Sequence, residues 1–186
     1  MISKPYLLFL GDAKDELAIK TAAGINYWRP EWCIGQMSLP NAKSSLGIDE
    51  ISLEEAVKRG AKTFVLGVVN AGGKMPEGWI DIIVKAISLG LNIASGMHSR
   101  LSSFDEISKA AAEHDVKLHD LRYNNIEFNT GKGLKRTGKR LLTVGTDCSV
   151  GKKYTALALE KAMLEKKMKV SFKATGQTGV LIAENG

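Results

Sequence analysis

The sequence predicts an α/β protein: an open, doubly wound parallel sheet, followed by the first βαβ unit of a second domain built to hold a phosphate. Three observations carry this. Short apolar runs alternate with helical stretches five times within roughly the first 120 residues, the pattern of parallel strands joined by right-handed helical crossovers. Between residues 124 and 139 the composition turns polar, Gly-rich and basic, which marks a boundary and gives domains at 1–123 and 140–186. Beyond it, Leu141 to Thr155 reads as a buried strand running into a Gly-bounded loop, closed by Gly151-Lys152, and then into a helix.

Each element has its own signal. Tyr6 to Leu10 is a continuous apolar run that suits a strand covered on both faces. The helix after it carries Leu17, Ala18, Thr21, Ala22 and Ile25 on one side, and Trp32 to Met37 forms the second strand. Ser52-Leu53-Glu54-Glu55 is a capping box, with the Ser hydroxyl accepting from the amide three residues on and Glu55 reaching back; its helix ends at Gly60. Thr63 to Val69 is the clearest strand and empties into Asn70-Ala71-Gly72-Gly73. Trp79, Ile82, Ile83, Ala86 and Ile87 then repeat as a single buried helical stripe, stopped by Gly90. Asn92 to Ser95 is the fourth strand, a second capping box from Ser103 to Glu106 opens a helix through Glu113, and Val116 to Leu121 is the fifth strand. Sheets of this kind bind ligands beyond the C-terminal ends of their strands, where Asp12, Asn70, Gly72, Gly73, His98, Ser99 and Arg100 fall.

Composition narrows the function classes. An apolar fraction of 44% in 186 residues supplies a core, and no run approaches the 18 or more apolar residues of a membrane span. Met1 to Pro5 lacks the features of a secretory signal, so a cytoplasmic location is expected. Cys33 and Cys148 have neither metal-ligand nor disulfide spacing. The net charge of +6 gathers in Lys132, Lys135, Arg136, Lys139 and Arg140 without interleaved aromatics, which argues against nucleic acid and for a solvated linker or a field that attracts a phosphorylated small ligand.

In the second unit, the loop from Gly145 through Thr146, Asp147, Cys148, Ser149 and Val150 to Gly151 and Lys152 would turn its backbone amides inward, with the positive end of the next helix facing the anion. Two details depart from the usual phosphate loop. Five residues rather than four separate the glycines, and Lys153 stands where Ser or Thr normally ligates Mg²⁺. A lysine is a donor and cannot ligate a cation, and Thr155 lies about 200° around the helix. Two lysines and no Mg²⁺ ligand favour phosphates that are bound without being cleaved, as in coenzyme A. The unit, with a second strand from Lys169 to Lys173, is too small to cover its own strands. It is therefore expected to join the first sheet or to open a larger domain; the apolar Val180 to Ala183 so close to Gly186 favours the latter, and with it a longer chain. The uncovered strand faces lead to an expectation of a homo-oligomer.

Gly145-Thr146-Asp147 with Val150-Gly151-Lys152 resembles the extended phosphate loop of dethiobiotin synthetase, and Lys173 falls where that family's substrate-contacting Lys lies. A wider likeness spans Lys20-Thr21-Ala22, Trp28 to Cys33, Asn70 to Gly73, Ala94 to His98, the loop, and Lys173 to Gly179. By these motifs the chain resembles the DUF1611 family, and most closely its D-glutamate N-acetyltransferase branch. The resemblance implies a Rossmann-like domain joined to a P-loop domain, of which this chain matches the N-terminal part, and an enzyme that moves an acetyl group from acetyl-CoA to D-glutamate. Lys20, Asn70, Arg100, Lys173, Thr175 and Gln177 are the candidates to meet such a substrate, Arg100 and Lys20 by pairing with its two carboxylates, with a solvated surface charge as the competing role. Gly145, Thr146, Cys148, Ser149, Val150, Gly151, Lys152 and Lys153 are the candidates to hold the cofactor. Asp147 and His98 are the catalytic candidates, Asp147 as base or as orienter of the ammonium; a carboxylate that braces its own loop is the competing role. A covalent acetyl-Cys148 is the less favoured route. Two other functions stay open: an ATP-dependent ligase or kinase using Mg·ATP, and a non-catalytic nucleotide or coenzyme A module.

Overall fold

The computed structural model describes residues 2–69, 71–123, 129–135, 137–147 and 150–183. Five parallel strands, β1 (Tyr6–Gly11), β2 (Cys33–Ser38), β3 (Thr63–Leu66), β4 (Asn92–Ser95) and β5 (Leu118–Asp120), form one sheet in the order β2-β1-β3-β4-β5. The chain winds outward from β1 to β2, then crosses back to lay β3 on the other side of β1. That reversal puts the topological switch point, where doubly wound sheets hold ligands, between the C-terminal ends of β1 and β3.

The alternation along each strand divides the core in two. Leu7, Phe9, Phe64, Leu66 and Ile93 face a layer made by α2 (Leu53–Lys58), α3 (Ile80–Ser88) and α4 (Asp105–Glu113), in which Trp79, Ile83, Ala86, Ile87 and Ile107 are buried. Tyr6, Leu8, Leu10, Val65 and Ala94 point the other way. On that side α1 (Lys20–Trp28) supplies Ala22 and Ile25, and the second part of the chain supplies the rest: Leu157 from α5 (Lys152–Glu165) and Leu181 and Ile182 from α6 (Gln177–Ala183). Each large apolar side chain buried this way is worth roughly 1.5–3 kcal/mol. One nine-residue helix could not cover that face of five strands, and α5 and α6, which both follow the loop in the chain, complete it.

Four expectations are corrected. Leu141–Val144 and Lys169–Lys173 do not form strands among the described residues, because extended backbone becomes a strand only against a hydrogen-bonded neighbour; Leu141, Leu142 and Val144 are 64%, 76% and 79% exposed. Ser103 does not cap α4: its hydroxyl bonds the carbonyl of Arg100 at 2.7 Å, and the helix begins two residues later. Ser52 does cap α2, accepting from the Glu55 amide at 3.2 Å, but the Glu55 carboxylate turns forward to Arg59 at 2.8 Å instead of back, since a full ion pair at i,i+4 outbids an amide. Leu17 lies outside the buried stripe, being 67% exposed, because the helix starts only at Lys20. Among the described residues no helix is long and apolar enough to cross a membrane.

Candidate functional site

The switch point is built by close backbone approach. The amide of Gly67 continues β3 by donating to Phe9, and its carbonyl accepts from the Ala22 amide at 3.0 Å, while the Val69 amide donates to Ala18 at 2.7 Å. A Cβ on Gly67 would come within 2.5 Å of the Ala22 Cβ and 3.2 Å of the Phe9 carbonyl. The start of α1, and so Lys20, is thereby held at the C-terminal edge of β1 and β3.

The loop is closed on itself. Gly151, with φ of 92°, turns the chain into α5 in a conformation that disfavours other residues. The Lys152 ammonium reaches back across the loop to the Asp147 carbonyl, and the Thr143 hydroxyl bonds the Lys152 carbonyl at 2.8 Å. A Cβ on Gly145 would lie 2.8 Å from the Val150 side chain and 3.2 Å from the Lys152 stem, so only glycine lets those two cross over it. Thr146 and Asp147 are exposed beside this closure. Cys148, Ser149 and Asn70 lie outside the described residues. The Thr155 hydroxyl bonds the Gly151 carbonyl at 3.1 Å, so it is occupied by its own helix.

Lys153 turns away from the loop towards α1. Its ammonium lies 4.5 Å from the centre of the Tyr154 ring. Burial first, and the Lys20 ammonium second, push its pKa down to about 8. Tyr154 fixes this seam: its ring stacks on Trp28 with 6.4 Å between centres, and its hydroxyl lies 3.4 Å from the Lys20 carbonyl. The Lys20 charge is thus felt at Lys153, although the two are far apart in sequence.

A second cluster gathers beyond β4. The His98 amide donates to the Gly73 carbonyl at 2.7 Å, and its ring packs so tightly on Gly73 that a Cβ there would meet it at 2.1 Å. The His98 carbonyl accepts from the Tyr123 hydroxyl, and the Ser99 hydroxyl accepts from the Met75 amide at 3.0 Å. Arg100 lies over the Tyr123 ring at 4.1 Å, which holds its guanidinium at that ring. Gln177, the first residue of α6, rests on Gly96, where a Cβ would meet its Cγ at 2.8 Å. Arg122 donates to the Gly96 carbonyl at 3.2 Å. Lys173 and Thr175 are exposed in the turn before α6. Arg122 and Tyr154 were not singled out by sequence reasoning: each is an isolated polar or aromatic residue, and only the fold brings it to Gly96 or to Lys20. An open depression of about 410 Å³ bordered by Gln36, Ser38, Lys43 and Glu50 includes none of the candidate residues. Among the described residues no group of His, Cys, Asp and Glu could hold a metal ion.

The family comparisons divide the chain in two. Residues 39–124 match DUF1611_N, a Rossmann-like domain of unknown function, and residues 127–186 match DUF1611_C, a P-loop domain of unknown function. Among curated proteins the chain is 52% identical over 185 residues to a D-glutamate N-acetyltransferase of Pseudoalteromonas sp and 49% identical over 186 residues to a D-glutamate N-acetyltransferase of Tritonibacter scottomollicae. Each alignment covers the whole chain and 56% of the relative, so the chain spans little more than half their length. The crystal structure of a DUF1611 family protein from Anabaena variabilis superposes with a TM-score of 0.80 at 24% identity, covering all of this chain and 56% of that one. That likeness establishes the fold.

Proposed function

The chain belongs to the DUF1611 family, by its Rossmann-like and P-loop domains, and on that footing we propose that it is part of an N-acetyltransferase that moves the acetyl group of acetyl-CoA to the amine of D-glutamate. The observation that carries this reading is the extent of the likeness: about half of all residues are identical to proteins named for that activity, from one end of the chain to the other.

The chemistry available supports it. Acetyl transfer breaks the thioester C–S bond, forms an amide C–N bond, and needs a path for the ammonium proton and donors for the developing oxyanion. The loop amides and Lys152, at the positive end of α5, suit the phosphates of coenzyme A. Gly145, having no Cβ, leaves room for the Val150 side chain and the Lys152 stem to cross over it. His98 and Asp147 remain the candidates for proton transfer, with Gln177, Arg122 and Arg100 at the substrate side; Arg122 joins them because it lies with Gln177 at Gly96. Thr155 is engaged by its own helix and Lys153 faces α1, so neither presents the Mg²⁺-binding hydroxyl of an ATP site.

Calorimetry of the full-length protein with acetyl-CoA, and separately with Mg·ATP, tests the reading, together with acetylation of D-glutamate followed by mass. Binding of acetyl-CoA with formation of N-acetyl-D-glutamate is expected. Binding of Mg·ATP with release of ADP, and none of acetyl-CoA, would replace it with an ATP-dependent ligase.

A further inference from the structure

The loops that follow β4 and β5 run side by side. The strands stay in register to their ends, with Ser95 beside Asp120, and the Leu121 amide extends the ladder by donating to the Ser95 carbonyl at 2.9 Å. The chain then turns, the Tyr123 amide donating to the Asp120 carbonyl at 3.0 Å, and the Tyr123 side chain lies against the loop after β4. That loop carries His98 and Arg100 and is suspended between its two neighbours. On the β3 side, the Gly73 carbonyl accepts from the His98 amide at 2.7 Å, and the Met75 amide donates to the Ser99 hydroxyl at 3.0 Å. On the β5 side, the Asp120 carboxylate accepts from the Leu101 amide at 2.7 Å, and the Tyr123 hydroxyl donates to the His98 carbonyl. Both backbone groups of His98 are thus held, each by a different neighbour. The same tyrosine also meets Arg100, whose guanidinium lies 4.1 Å from the centre of its ring. Arg100 has no carboxylate partner among the described residues, so the ring is the contact that restrains its charge. Core packing does not account for Tyr123, which is 37% exposed and belongs to neither apolar cluster.

We propose that Tyr123 is a positioning residue of the transfer site, its hydroxyl fixing the peptide that carries His98 and its ring fixing the Arg100 guanidinium, so that both present themselves together to an acidic amino acid. This rests on the reading in which His98 serves proton transfer and Arg100 meets the substrate. A guanidinium held over a ring face keeps N–H donors for a carboxylate, while the ring removes much of the freedom that a long side chain would otherwise lose on binding. A proton acceptor, in turn, works only within hydrogen-bond reach of the group it serves, which makes the placement of the His98 backbone a matter of rate. The two contacts come from different parts of one side chain, so they are separable by substitution.

The test is steady-state kinetics of the full-length protein with acetyl-CoA and D-glutamate, on the wild type, Tyr123→Phe and Tyr123→Leu. Phenylalanine keeps the ring and removes the hydroxyl, whereas leucine removes both. Tyr123→Phe is expected to lower kcat about fivefold or more and to leave the KM for D-glutamate within about twofold; Tyr123→Leu is expected to raise that KM about fivefold or more as well. The Tm of both variants should stay near that of the wild type, because the side chain lies in neither core. Two measurements need no turnover. In calorimetry with D-glutamate, Tyr123→Phe should bind like the wild type and Tyr123→Leu more weakly, and the ¹³C signal of the His98 carbonyl should shift in Tyr123→Phe. Acetylation by the wild type with kcat and KM unchanged in both variants overturns the proposal and leaves the transfer reading standing. Binding of D-glutamate without acetylation sinks the transfer reading; weaker binding by Tyr123→Leu than by Tyr123→Phe then still supports the part of the ring, and equal binding overturns it. Losses of kcat that follow a fall in Tm, with one KM for all three proteins, show a purely structural tyrosine and overturn the proposal. No binding of D-glutamate by the wild type overturns both.

Discussion

The phenol of Tyr154 reaches from the helix after the loop to the carbonyl of Lys20, 3.4 Å away, in the notch that Gly24 leaves in α1. This contact joins the two halves of the chain beside Lys153, whose pKa is lowered chiefly by burial. Gly24→Ala would place a Cβ 2.4 Å from that hydroxyl. The displaced atom is the far end of a side chain, so a loss of about 1 kcal/mol is expected, recovered in large part by adding Tyr154→Phe, which removes the atom in the way. Urea unfolding of the two single variants and the double variant measures this. Equal losses with and without the tyrosine hydroxyl would show that the notch does not seat it.

Gly67→Ala is expected to cost more, about 2–3 kcal/mol, because the new Cβ meets the Ala22 Cβ and a strand carbonyl, neither of which can swing aside. Comparing the unfolding midpoints of the Gly67 and Gly24 variants checks the order. The larger effect should fall at the switch point.

The pH dependence of stability follows from Lys153, whose pKa falls from its ordinary 10.5 to about 8 on folding. Below pH 8 the ammonium is charged in both states, and the folded state bears the full penalty of burial and of Lys20. Between about 8 and 10.5 the unfolded chain holds more protons, so stability rises with pH, and the penalty is gone above that window. Lys153→Met should therefore be more stable than the wild type at pH 7, with the difference shrinking by pH 10. A difference that grows with pH would contradict the assignment.

Thr155→Ala tests the absence of a Mg²⁺ hydroxyl. Since that hydroxyl bonds the Gly151 carbonyl, turnover by the full-length protein is expected to stay within about twofold, and EDTA to have no effect. Loss of activity on either treatment would restore a nucleotide-type site.

Gln36 is buried and fully engaged, donating to Ser45 at 2.9 Å and Glu50 at 2.8 Å and accepting from the Leu46 amide at 2.7 Å. Gln36→Leu would leave that amide without its acceptor. A loss of about 1–3 kcal/mol is expected, with faster hydrogen exchange at Leu46 as its local signature.

The N-terminal sheet was legible because apolar runs such as Tyr6–Leu10 and the stripe of Trp79, Ile83, Ala86 and Ile87 carry their own period, and burial on one face or both follows from it. The Gly-bounded loop was legible for a related reason: Gly145 and Gly151 are backbone requirements written at fixed spacing. The strand ladder expected at Leu141–Val144 was not, since an apolar run says nothing about which edge it will meet. Local patterning thus determined the elements of the N-terminal sheet, its parallel class and the loop, because those depend on neighbours a few residues away. The tertiary structure alone decided that α5 and α6 cover the open face of the sheet, that Arg122 and Gln177 meet at Gly96, and that Lys153 lies against the Tyr154 ring, which stacks on Trp28. These depend on residues distant in sequence, and their energies exist only once the chain has closed.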